Sequence, residues 1–139
     1  DKMAILLNFV YDNVEYVPDK VTWKKPEYWQ NAAYTLTSKK GDCEDMAILL
    51  YKLAVFSNVP LYRLRVACGF TSDGTGHAYL LYLKEEDNEW YSLDPAYKFF
   101  ESKSSYKNSI PHRERSSYGK IWYTFNGRNA WAQESVVVI

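Results

Sequence analysis

Hydrophobic and polar positions along the chain change rhythm near its middle, and the change separates predicted helices from predicted strands. Met3, Leu6, Val10 and Val14 recur on one helical face, so residues 2–14 are predicted as an amphipathic helix ended before Pro18. Residues 19–25 read as a loop. Pro26 suits the first turn of a short helix carrying Tyr28, Trp29 and Ala33, and "SKKG" at 38–41 breaks the pattern. From Asp42 onward Met46, Ala47, Leu50, Leu53, Ala54 and Phe56 cover a face wide enough for a buried helix. Asn58-Val59-Pro60 stops it.

Beyond Pro60 the period falls to two. In "LYRLRVACGF" at 61–70, Tyr62, Leu64, Val66, Cys68 and Phe70 share one face of a predicted strand, with Arg63 and Arg65 on the other. "SDGTG" at 72–76 is a turn signal. "HAYLLYLK" at 77–84 and "EWYSLD" at 89–94 follow as strands joined by the polar turn Glu85–Asn88. The charged, Ser-rich stretch 101–119 reads as a long surface loop, and "KIWYTFN" at 120–126 as a further strand. Helices first and strands second predict an α+β fold, with the N-terminal helices packed on an antiparallel sheet.

Composition narrows the class. At 139 residues, 47% hydrophobic and 17% aromatic, the chain suits a single domain over 1–139 with a proper core, and it is too apolar for disorder. Lys+Arg 17 balance Asp+Glu 17, so no excess charge favours nucleic acid or an anionic membrane as a partner. No apolar stretch approaches the ~18 residues of a membrane span, and residues 1–14 carry no signal-peptide pattern. Opening on Asp1 rather than Met is what a trimmed chain would do, which leaves the compartment open. Cys43 and Cys68 are too few for a disulfide scaffold.

The chemistry concentrates at "KKGDCEDMA", residues 39–47. Asp42 is a natural N-cap, with Asp45 in the capping-box position, so Cys43 falls at the first helical residue. There the unpaired N–H groups and the helix dipole favour a thiolate and can donate to an oxyanion. Glu44 and Asp45 oppose this, since nearby negative charge raises a thiol pKa. Taken alone, Cys43 reads more readily as a core cysteine beside ordinary capping carboxylates than as a nucleophile.

A thiol nucleophile needs a base, and the chain has two histidines. His112, in "PHRER", reads as a solvated loop residue. His77 opens a predicted strand after Gly74-Thr75-Gly76, and Asp94 ends the next strand. The two are centred on the start of the Glu85–Asn88 turn, so they are predicted to face or nearly face each other across a hairpin. Asp94 could then hold the tautomer of His77.

"GDCEDMAILLYKLA", "GHAYLLY" and "WYSLDPAY", in that order, resemble the Cys, His and Asp blocks of the transglutaminase-like superfamily, and most of all its bacterial cysteine proteinases. "TWKKPEYW" at 22–29 is similar to the Trp-x-x-Pro-Glu stretch those proteins carry before the cysteine, so the likeness spans about residues 22–97. The resemblance implies a papain-like α+β core with Cys43 as nucleophile, His77 as base and then acid, and Asp94 as orienter. It also implies calcium held by Asp42 and Glu44, as in members that clip bacterial surface adhesins, although the chemistry itself requires no cofactor. Carboxylate oxygens suit that cation.

The expected function is thiol-dependent cleavage of a peptide or amide bond through an acyl-enzyme, on a protein or peptide substrate. Transfer to an amine, as in a transglutaminase, uses the same triad. A module binding peptide or glycan without turnover is the other class; Trp23, Tyr28, Trp29, Trp122 and Trp131 could line its groove. A second oxyanion donor could come from Trp23, Trp29 or Gln30, which spacing does not separate.

Overall fold

A computed structural model describes residues 2–17, 32–71, 76–95, 112, 118–127 and 130–132. Among the described residues, three helices occupy the first half: α1 (Lys2–Asn13), α2 (Ala32–Ser38) and α3 (Cys43–Phe56). α3 is the central helix. It buries Met46, Ala47, Leu49, Leu50, Tyr51 and Ala54, while α1 contributes Met3, Leu7 and Val10 to the same cluster. The C-terminus of α3 closes as the Asn58 signal predicts. Asn58 takes a left-handed φ of 69°, and the Val59 N–H donates to the Ala54 carbonyl at 3.0 Å.

The second half forms an antiparallel sheet of β3 (Leu64–Thr71), β4 (Gly76–Leu83), β5 (Trp90–Leu93), β6 (Tyr118–Phe125) and β7 (Ala130–Ala132). Its strand order is β5-β4-β3-β6-β7, which among the described residues leaves β5 at one edge. Leu64, Val66, Leu80, Tyr91 and Leu93 face the helices and join their core. Ala67, Tyr79, Leu81 and Ile121 form a second cluster on the opposite face. Tyr51 links the layers: its hydroxyl accepts the Gly127 N–H at 2.6 Å, so close that a Cβ at Gly127 would meet it at 2.8 Å. Among the described residues, no helix is long and apolar enough to cross a membrane.

The α+β class and the element order match the sequence reading, and the differences have local causes. Leu61–Arg63 form a 3-10 turn before β3, which leaves Tyr62 at 63% exposure rather than on the buried face. Phe70 and Phe56 are likewise exposed. β3 is buried at Ala67 and Gly69 as well as at Val66 and Cys68, because both sheet faces are covered. A strand covered on both sides has no reason to alternate. β6 begins at Tyr118, inside the stretch expected to be loop, and β7 had no separate signal. A parallel pair of two-residue strands, β1 (Glu15–Tyr16) and β2 (Lys40–Gly41), was also unforeseen. Residues 19–25, the Pro26 turn with Tyr28 and Trp29, and most of the 101–119 stretch lie outside the described residues.

Leu50 is fully buried at the centre of this packing, whereas Ile5 on α1 is 68% exposed. Leu50→Ala should therefore cost about 2–5 kcal/mol. Denaturant unfolding should show a lower midpoint at unchanged m. Ile5→Ala should stay within about 0.5 kcal/mol of the parent.

Candidate active site

Four consecutive backbone constraints fix where Cys43 sits. α2 ends at Ser38, and Lys39 turns the chain through a left-handed φ of 60°. β2 then pairs with β1, with the Glu15 N–H on the Lys39 carbonyl and the Val17 N–H on the Gly41 carbonyl, both at 2.8 Å. Next comes the predicted capping box. The Asp45 N–H donates to Asp42 Oδ1 at 3.2 Å, and the Asp42 N–H donates to Asp45 Oδ2 at 3.0 Å. Cys43 is thereby the first residue of α3. Gly41 leaves room for this exchange, since a Cβ there would stand 2.8 Å from the Asp45 Cβ.

His77 and Asp94 meet on the sheet. His77 Nε2 lies 2.6 Å from Asp94 Oδ2, with the Asp94 side chain 1% exposed and that of His77 14%. They reach each other on the diagonal. The observed register pairs Leu80 with Leu93 and Leu81 with Ser92, a frame in which Tyr79 stands opposite the position of Asp94. The turn explains the difference. Glu85–Asn88 form a four-residue loop, Asn88 adopts φ 55°, and the Lys84 N–H donates to the Glu89 carbonyl at 2.9 Å. Asp87 Oδ1 also accepts the Glu89 N–H, at 3.0 Å. This closure moves the hairpin centre one residue beyond the expected point. Because each partner shifts by two, His77 and Asp94 still share one face.

Cys43 approaches the same strand from the helix layer. The backbone N–H of Ala78, next to His77, donates to its sulfur, and the thiol itself lies 3.8 Å from Glu44 Oε2. Burial pushes the thiol pKa well up, Glu44 adds to the rise, and the Ala78 N–H opposes both. The resting group is therefore a thiol. The dipole argument expects the reverse, but desolvation and three neighbouring carboxylates (Glu44, Asp42 and Asp94) outweigh a helix end. Glu44 is itself held well above the ordinary carboxylate range, first by burial and then by the charge of Asp42, to which it is hydrogen-bonded.

Tyr16 escaped the sequence reading. Its partner in the β1–β2 ladder is Gly41, which brings it beside the cysteine segment. Burial, followed by the charges of Cys43, Asp42, Asp94 and Glu44, pushes its phenol up to about 12, so it remains a neutral donor at the site's edge. Only the pairing of residue 15–16 with 40–41 reveals this, and two-residue strands leave no periodic signal. His112 also departs from expectation. It is half-buried rather than solvated, with Nδ1 2.5 Å from the Ser92 hydroxyl. Trp23, Trp29 and Gln30 lie outside the described residues, as do the side chains of Trp122 and Trp131.

The comparisons agree with this architecture. The family model for the CEP76 peptidase-like domain matches residues 27–135. EGTA-treated LapG of Legionella pneumophila is 23% identical at a TM-score of 0.75, over 97% of this chain and 67% of that one. Calcium-bound LapG is 25% identical at a TM-score of 0.71, over 94% and 68%. A candidate cysteine protease from Cytophaga hutchinsonii is 23% identical at 0.53, over 68% of this chain and 30% of that one. These neighbours have the transglutaminase-like cysteine proteinase fold, the one the three sequence blocks imply. No curated protein matches the chain significantly by sequence.

The cap that sets Cys43 depends on the space at Gly41. Gly41→Ala should displace Asp45 and cost about 1 kcal/mol, the worth of an N-cap. Thermal unfolding should register a lower Tm, with the helix content by circular dichroism retained.

Proposed function

The chain belongs to the CEP76 peptidase-like domain family, and from that premise we propose that it cleaves peptide or amide bonds through Cys43, His77 and Asp94. The observation that supports this most is the 2.6 Å contact between His77 Nε2 and a buried Asp94, beside the Ala78 N–H that meets the Cys43 sulfur. With Nε2 on the carboxylate, Nδ1 is the ring atom that would serve the thiol. Since the thiol rests protonated, His77 removes its proton as sulfur attacks the carbonyl carbon. The resulting oxyanion is held by the Cys43 N–H at the start of α3 and by a second donor, for which Trp23, Trp29 and Gln30 are the candidates. His77 then returns the proton to the leaving amine as the C–N bond breaks, and water, deprotonated by His77, releases the acyl group. Asp94 steadies the imidazolium throughout.

Amine transfer is the second reading. It shares the acyl-enzyme and differs only in the group that resolves it. A peptide-cleavage assay run beside an amine-incorporation assay separates the two. A binding role without turnover predicts instead an unreactive Cys43. Iodoacetamide and p-nitrophenyl acetate should modify the wild type at Cys43, and Cys43→Ala should lose both reactions. His77→Ala should slow acylation by about 10²–10⁴-fold. Unchanged labelling of Cys43→Ala would remove that residue from the mechanism.

Calcium enters the reading through Asp42 and Glu44. Glu44, half-buried and hydrogen-bonded to the buried Asp42 whose charge raises its proton affinity, makes with it a donor pair suited to a hard cation. Among the described residues no cluster of three His, Cys, Asp or Glu completes a site, so backbone carbonyl or water oxygens would supply the remainder. The bound cation would neutralise the carboxylates that push the thiol up. LapG has been solved in calcium-bound and EGTA-treated forms, which makes the comparison direct. Calcium at about 100 times its Kd should stabilise the fold by about 2.7 kcal/mol relative to EGTA. Glu44→Gln should abolish that shift in Tm, and a wild type indifferent to calcium would remove the cation from the reading.

A further inference from the structure

The pair formed by His77 and Asp94 lies beyond the reach of the ladder that should hold it. β5 is a four-residue edge strand, and its pairing with β4 runs only from Leu83–Trp90 to Leu80–Leu93. Asp94 is the first residue past that ladder. His77 lies three residues past it on β4, held on its other side by the pairing with Gly69 of β3. Nothing in the β4–β5 ladder fixes the separation of the two side chains, yet a 2.6 Å contact needs that separation fixed to a few tenths of an ångström.

An imidazole from far along the chain bridges the two strands at this point. His112 Nδ1 is 2.5 Å from the hydroxyl of Ser92, two residues before Asp94 and on the same side of β5. Its ring centroid is 6.0 Å from that of Tyr79, which is two residues after His77 and on the same side of β4. Tyr79 in turn lies 6.2 Å from His77, centroid to centroid, and both ring pairs are tilted by 33°. Ser92 is 0% and Tyr79 1% exposed, so both partners of the half-buried His112 are themselves buried. Each partner of His112 is thus the same-face neighbour of one member of the pair.

We propose that His112 is a positioning residue, which clamps Tyr79 on β4 to Ser92 on β5 and so holds the imidazole of His77 on the carboxylate of Asp94. The inference rests on the catalytic reading of His77 and Asp94, and it deepens that reading. His112 acts here as a positioning group. It acts by setting the distance between two residues that lie past the last rung of the β4–β5 ladder, and a displacement of about 1 Å in such a pair can cost about 10²-fold in rate.

The test is made on the full chain, with p-nitrophenyl acetate as the acyl donor and proton NMR as an independent readout. In the wild type the His77 Nε2–H bonded to Asp94 should give a downfield resonance, assigned by its absence in Asp94→Ala. His112→Ala should weaken or lose that resonance and slow acylation by about 10–100-fold, with KM changed less than kcat. His112→Asn, whose amide can reach Ser92, should recover part of both. Should His112→Ala fail to fold, Ser92→Ala breaks the same hydrogen bond from the other strand and should give the same loss. A folded His112→Ala or Ser92→Ala with the resonance and the rate intact overturns the proposal. So does a variant slowed with the resonance intact and no rescue by Asn. Retained acylation in Cys43→Ala would overturn the catalytic reading instead, while the resonance would still report on the clamp.

Discussion

The reciprocal hydrogen bonds between Asp42 and Asp45 decide where Cys43 lies. They stop α3 from starting earlier and leave Cys43 as its first residue, on the end of the helix whose N–H groups have no partner within the helix. Everything on either side supports that placement. Upstream, the left-handed turn at Lys39 and the β1–β2 pairing deliver the chain to Asp42 at a set angle. Downstream, the apolar face of α3 seats the helix on β3 and β4, which sets the sulfur against the backbone of Ala78.

The same cap imposes an electrostatic cost. Carboxylates suit the positive end of a helix, but here Asp42, Glu44 and Asp45 crowd a partly desolvated corner. Glu44 responds by holding its proton and the thiol by remaining protonated. A helix dipole contributes about half an elementary charge at its end, which is too little to offset this burial together with the neighbouring carboxylates. Under the proposed mechanism, position at the N-terminus would provide donors for a developing oxyanion, and the His77 imidazole would provide the basicity.

Much of this was legible in the residues. The cap, the helix stop at Asn58 and the β4–β5 hairpin each depend on a few neighbouring residues with strong local preferences, and each appears where the sequence puts it. The closeness of His77 and Asp94 was readable for a similar reason: parity along a strand survives an error of two in the register. What was not readable is what distant pairing creates. Tyr16 reaches the cysteine segment through a two-residue ladder, and His112 reaches Ser92 across twenty positions. The alternation proposed for β3 failed because both of its faces are covered at its centre, where Val66 to Gly69 are all buried.

A thiol that rests protonated has a consequence outside catalysis. Peroxides and disulfides react with the thiolate, so the oxidation of a cysteine follows its thiolate fraction and its exposure. Cys43 is low on the first count and only half-exposed on the second. At rest it is therefore a slow target for conversion to sulfenic acid.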